Sequence, residues 1–384
     1  MRAEDSGLSL LCNRRTTQSR EAPVPNARPI LRATLDAVPA YVPGSTAPAG
    51  WKLSSNELAH PPLDGVLDAV STAATQMNRY PDLAAVEVRS SLADRLDVPV
   101  RHIAVGAGSS ELLQQVMRIA VDPGDEVVYA WRSFESYPIV TGLAGARAVE
   151  VPLNEDESHD LPAMADAVSD RTRAVVVCTP NNPTGRALRS SELSDFLARI
   201  PSTVLIVLDE AYTEFATGPD RVDGARIYRD HPNLVVLRTF SKAYGLAGLR
   251  IGYAIAHESV AEALRKAAVP FGVSSVAQAA AVASLERHDR LIRRVAAVVA
   301  ERTRVRDTLR SQGWTVPDSA ANFVWLRLTD RTSDFTEHCR RVGITVRPYE
   351  PDGVRITIGE PAANDALLRA AGTYSYRNRG GRRQ

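Results

Sequence analysis

Arg238-Thr-Phe-Ser-Lys-Ala-Tyr-Gly-Leu-Ala-Gly-Leu-Arg250 places a lysine directly after a serine, just past an apolar run and inside a glycine-containing loop. An arginine follows eight residues later. A lysine so placed can form a Schiff base with an aldehyde, and the serine and arginine can hold a phosphate on the same molecule. By itself, Lys242 reads as a surface lysine, because most lysines are exposed. The thirteen-residue run as a whole is far more specific.

Around this loop the chain alternates between two patterns. Short apolar runs rich in Val and Ile, at 103–105, 126–130, 174–178, 204–208, 234–237 and 251–255, read as buried parallel strands. Helical patterns, as at 110–120 and 190–198, separate several of them. The alternation predicts an α/β fold with a large, mostly parallel sheet. Beyond residue 276 the pattern changes to a long helical stretch at 277–309, a strand at 322–328 and a helix near 334–341. Strands at 345–347 and 354–358 and a last helix from 363 follow. This part reads as a smaller α+β domain, completed by an N-terminal arm rich in Pro, Gly and Ser at 43–62. The expected organisation is a polar, disordered or loosely attached segment (1–28), the arm (29–65), a large domain (66–285), a small domain (286–374) and a basic tail (375–384).

The bulk numbers narrow the class. The chain has 384 residues, 44% hydrophobic and 24% charged, ordinary for a globular protein with two domains. A net charge of +1 gives no reason to expect nucleic acid or an anionic membrane as partner. Cys12, Cys178 and Cys339 are scattered and odd in number, so neither a disulfide framework nor a metal site is indicated, and a reducing cytoplasm is the expected setting. No apolar run is long enough to span a bilayer, and 8–11 is a poor signal-peptide core.

Three further segments carry candidate chemistry. Asp209 directly follows the apolar run 204–208, and ligands of open α/β sheets gather at the carboxyl ends of strands. A lone Asp there also reads as a helix N-cap. Thr179-Pro-Asn-Asn-Pro-Thr-Gly185 follows the strand at 174–178 and has the signals of a plain turn. Gly106-Ala-Gly-Ser-Ser-Glu111 lies between a strand and a helix, where free N–H groups and the positive dipole end can meet a phosphate.

Taken together and in this order, these segments resemble the fold-type I pyridoxal-phosphate aminotransferases, over about Tyr41 to Asp365. The resemblance is closest to the histidinol-phosphate aminotransferase group, and within it to the actinobacterial aromatic (phenylalanine) aminotransferases. The marks of the latter are Trp131-Arg-Ser-Phe-Glu-Ser-Tyr-Pro138, Val269-Pro-Phe-Gly-Val-Ser-Ser275, Ala321-Asn-Phe-Val-Trp325 and Val346-Arg-Pro-Tyr349. The resemblance implies pyridoxal 5'-phosphate as cofactor, with Lys242 as the lysine that carries it and Asp209 as the acid beside its ring nitrogen. Asn182 and Tyr212 would donate to its phenolate oxygen. Ser109, Ser110, Ser241 and Arg250 would form its phosphate cup, and Phe134 would stack on its ring. Tyr80, in Asn78-Arg-Tyr-Pro81, would reach the phosphate of a neighbouring subunit, which implies a homodimer with shared sites. Arg355, Arg347, Asn322 and Tyr41 would lie around the substrate. The implied reaction moves an amino group between an aromatic L-amino acid and 2-oxoglutarate. A histidinol-phosphate aminotransferase, a decarboxylase or lyase on the same fold, and a non-catalytic cofactor-binding module are the alternatives. The segment Ser55-Asn-Glu-Leu-Ala-His-Pro-Pro62 departs from the family pattern and is expected near the mouth of the site.

Overall fold

The computed structural model describes residues 29–45 and 50–374. The expectations for 1–28 and 375–384 lie outside the described residues. The strands, in chain order, are β1 (Trp51–Lys52), β2 (Ile103–Gly106), β3 (Glu126–Trp131), β4 (Arg147–Pro152), β5 (Thr172–Cys178) and β6 (Leu205–Asp209). They continue with β7 (Leu234–Thr239), β8 (Gly252–Ile255), β9 (Phe323–Arg327), β10 (Ile344–Thr345), β11 (Arg347–Tyr349) and β12 (Gly353–Thr357).

A seven-stranded sheet has the order β2-β8-β7-β6-β5-β3-β4. From β7 to β4 neighbouring strands run parallel, while β8 is antiparallel to both β7 and β2. The central strands are buried on both faces, which is why they read as continuous apolar runs. Successive side chains still part to opposite sides. Val175, Val177, Ile206 and Leu208 join one core. Ala174, Val176 and Val207 join another, with Leu112 and Val116 of the helix Ser109–Ala120.

β11, β12 and β9 form a second, antiparallel sheet. The arm reaches this region: β1 pairs parallel with β10, and the Thr357 N–H donates to the Leu53 carbonyl at 2.9 Å.

Three expectations are corrected. β4 was not anticipated; it is one of the sheet's two edge strands, and Arg147 and Glu150 interrupt its apolar pattern where it meets solvent. The helical stretch at 277–309 is two helices, Ser275–Leu285 and His288–Ser311. Between them the Arg287 side chain donates to the carbonyls of Asp64 and Ala283, so a tertiary contact fixes a break that no Gly or Pro announces. The strand expected at 345–347 is divided, with Thr345 ending β10 and Arg347 opening β11.

One buried ion pair ties the middle of the large sheet together. Arg238, on β7, is 2.7 Å from Glu210, which follows β6 directly, and 3.2 Å from Asp223. Glu210 also accepts from the Gly224 N–H at 2.8 Å. Removing one partner of such a pair leaves a charge in a dry interior, at a cost of about 3–5 kcal/mol. Glu210→Ala should therefore lower the unfolding free energy by about that amount in urea denaturation of the apoprotein. A loss smaller than about 1 kcal/mol would show that the pair does not tie the strands together.

Candidate active site

Three parallel strands end side by side. Cys178 closes β5, Asp209 closes β6 and Thr239 closes β7, and Cys178 is in register with Asp209. The loops that follow carry Asn182, Tyr212 and Lys242. A cleft of about 180 Å³ opens over these ends. Of the residues expected from sequence, Tyr41, Ser109, Ser110, Phe134, Asn182, Asp209, Tyr212, Ser241, Lys242, Arg250, Arg347 and Arg355 line it.

Lys242 opens onto the cleft and is only partly buried as a residue. Its Nζ donates to the Ser55 carbonyl at 3.2 Å. Protein surrounds the amine closely enough that burial, ahead of repulsion from Arg355, lowers its pKa to about 7. Near neutral pH it is thus a nucleophile rather than a fixed cation.

Asp209 lies at the floor of the cleft. Tyr137 Oη donates to its Oδ2 at 2.8 Å, and the Ala211 N–H donates to its Oδ1 at 3.2 Å. Burial raises its pKa to about 6, although the Tyr137 bond pulls the other way. A cationic ring placed against this carboxylate would reverse the shift.

At one end, Ser109 and Ser110 begin a twelve-residue helix whose first N–H groups are free to meet an anion. Arg250 donates from Nη1 to Ser241 Oγ at 3.1 Å, and Ser241 Oγ is 3.0 Å from Thr239 Oγ1. Gly108, at φ +86°, borders this corner, where a Cβ would lie 2.6 Å from Arg250 Nη2. Glycine suits the positive φ, and its lack of a Cβ leaves the guanidinium its present position.

At the other end, Asn182 Oδ1 accepts from Arg355 Nη1 at 2.6 Å and from Tyr349 Oη at 3.3 Å. Its amide nitrogen is left as the donor on the cleft side. Tyr212 Oη accepts from Asn56 Nδ2 at 2.9 Å, so its own proton is available to a second acceptor. Phe134 packs edge-on against Tyr137, with ring centroids 5.7 Å apart.

Two expected residues stand outside this lining. Asn322 is buried behind it and donates to the Asn56 carbonyl at 3.1 Å. It positions the 55–62 segment, whose Ser55 does reach the cleft, as does the adjoining Ser54. Tyr80 is 82% exposed and stacks on Phe271, with centroids 4.5 Å apart. Sequence reasoning also missed contributors. Tyr137 and Tyr349 lie in segments it quoted, but nothing in spacing alone aims their hydroxyls at Asp209 and Asn182. Thr239 lies inside the lysine-bearing run, where nothing in its type or spacing marks it as the partner of Ser241.

The donor set has three parts: an amine that loses its proton near pH 7, a buried carboxylate, and a corner built from hydroxyls, a helix start and a guanidinium. These fit an aldehyde, a pyridine nitrogen and a phosphate, the three functional ends of pyridoxal phosphate. Fold and site together define a fold-type I pyridoxal-phosphate enzyme.

The family model "Aminotransferase class I and II" matches residues 49–370. The chain belongs to that family and is a pyridoxal-phosphate-dependent transaminase. It is 57% identical to a Streptomyces coelicolor protein named aromatic amino acid aminotransferase, over 89% of this chain and 97% of that one. It is 56% identical to a Thermobifida fusca protein of the same name, over 91% and 98%. Among solved structures it is similar to the histidinol-phosphate aminotransferase of Sinorhizobium meliloti in complex with pyridoxal 5'-phosphate. That match has a TM-score of 0.83 and 30% identity, and covers 90% of this chain and 98% of that one.

The lowered pKa of Lys242 has a direct consequence. Below about 7 its amine is protonated and cannot add to an aldehyde; above that value it is neutral. Capture of pyridoxal phosphate by the apoprotein, followed by stopped-flow absorbance, should accelerate as pH rises through about 7 and then level off. A rate that stays flat across that value, or rises only near the ordinary lysine range, would contradict the burial of this amine.

Proposed function

We propose that this transaminase moves the amino group of an aromatic L-amino acid, phenylalanine-like, to 2-oxoglutarate. One observation carries the chemistry: Lys242, Asp209 and Arg355 face a single cleft at the carboxyl edge of the sheet. The donor class is supported by the relatives above, which the chain matches over almost their full length.

When bound, pyridoxal phosphate supplies an electrophilic carbonyl and a ring that accepts electron density. Lys242 Nζ is the amine that would hold that carbonyl, and with substrate seated it would be the base placed to take the substrate's α-proton and hand it back. Asp209 would hold a proton on the ring nitrogen, with Tyr137 and the Ala211 N–H fixing both its oxygens. Asn182 and Tyr212 would donate to the ring oxygen, Phe134 would cover the ring, and Ser109, Ser110, Ser241 and Arg250 would bind the phosphate. Arg355 binds the substrate's carboxylate, as a planar guanidinium suits. Arg347 and Tyr41 border the substrate, and Asn322 acts on it indirectly through Asn56.

In this reading the protein is a homodimer and Tyr80 serves the partner's phosphate corner. The support is an exposed apolar group: Tyr80 stacks on Phe271, which lines one surface depression with Val269 and Leu83. The large domain is placed at 66–285 and the small one at 286–374, with 29–65 as the arm. The support for that boundary is the helix break around Glu286 and Arg287. A cytoplasmic place in amino-acid biosynthesis is part of the same proposal.

The test is the half-reaction. Holoenzyme is mixed separately with L-phenylalanine and L-histidinol phosphate, and the cofactor spectrum and released product are followed. Rapid conversion with phenylalanine and little with histidinol phosphate is expected; the reverse preference would replace the donor. Lys242→Ala should abolish conversion, and Asp209→Asn should retain cofactor but slow proton abstraction by about 10²-fold or more. Near-normal turnover of Lys242→Ala would end the proposal.

A further inference from the structure

Two arginines stand side by side in the substrate half of the cleft. Arg347 on β11 and Arg355 on β12 are direct cross-strand partners, so their side chains leave the sheet on the same face. Both are buried and both line the cleft. Their surroundings differ. Arg355 meets only neutral oxygens: Nη1 donates to Asn182 Oδ1 at 2.6 Å and Tyr349 Oη at 2.8 Å, and Nη2 donates to the Ser54 carbonyl at 2.7 Å. Its Nε–H is buried and has no acceptor. Arg347 is already matched. Its Nη2 lies 2.8 Å from each carboxylate oxygen of Glu135 and donates to the Val42 carbonyl at 2.7 Å.

Arg347 and Glu135 cancel, which leaves Arg355 as the uncompensated cation of this half of the cleft. A carboxylate matches one such charge. A phosphate monoester, at about −1.5 to −2 near neutral pH, calls for both guanidinium groups. We propose that Glu135 is a specificity-determining residue: by occupying Arg347 it makes the substrate half of the cleft a receptor for one carboxylate, not for a phosphate dianion. The inference rests on the transamination reading above and narrows its substrate class. A dicarboxylic amino acceptor then enters by displacing Glu135 from Arg347. The side chains suit that exchange: Glu135 is 26% exposed and has a path to water, whereas Arg347, at 9%, stays in the wall.

Anion binding to the holoenzyme tests this without turnover. 3-Phenylpropanoate and 2-phenylethyl phosphate offer the same ring with either anion, and each is titrated by calorimetry. Glu135→Gln should tighten the phosphate relative to the carboxylate by at least about tenfold, because a released guanidinium gains a charge-assisted partner. Adding Arg347→Gln should abolish that gain. An unchanged ratio in Glu135→Gln, or a gain that survives the loss of Arg347, overturns the proposal. Failure to convert phenylalanine would instead overturn the donor assignment, and the two dissociation constants would still be readable.

Discussion

Lys242 forms no ion pair among the described residues; its amine faces the Ser55 carbonyl and feels the charge of Arg355. Enclosure without a counterion is what makes it reactive near neutral pH, and it constrains everything around it. A carboxylate in contact would restore the charge and remove the nucleophile. Asp209 is therefore held at the floor of the cleft, with both oxygens engaged by other donors. The cations are likewise placed at the two ends, Arg250 against Ser241 and Arg355 against Asn182, so that the cleft is polarised along its length.

That polarity depends on the rigidity of the sheet beneath. Asp209, Cys178 and Thr239 are the last residues of three hydrogen-bonded strands, and their backbones cannot drift apart without breaking the ladder. The Arg238–Glu210 pair reinforces this from inside, since Glu210 is the next residue after Asp209 and Arg238 precedes Thr239. The buried pair thus positions the acid and the loop that bears Lys242 against each other. The second sheet contributes differently: its two facing arginines would repel each other across the pair, and Glu135 relieves that repulsion while it changes what the cleft can bind.

The class of fold was legible because buried parallel strands have a blunt signature, runs of Val and Ile with loops at their carboxyl ends. The central strands were found within a few residues for that reason. β4 was not, since one side of an edge strand faces solvent and its charged residues dilute the pattern. The break near Arg287 was invisible because the cause is a side chain reaching across to the Asp64 carbonyl.

For the site, the sequence by itself determined which chemical groups are available. Short motifs fix them because Lys242, Asp209, Asn182 and Ser241 each sit where a strand gives way to a loop and Arg250 where that loop meets the next strand, and local order holds them there. Tertiary structure decided how those groups are tuned. Tyr137 comes to Asp209 from 72 residues away, Tyr349 to Asn182 from 167, and Glu135 to Arg347 from 212. Protonation and charge balance depend on distances through space and on the exclusion of water, and neither is encoded in the spacing of residues along the chain.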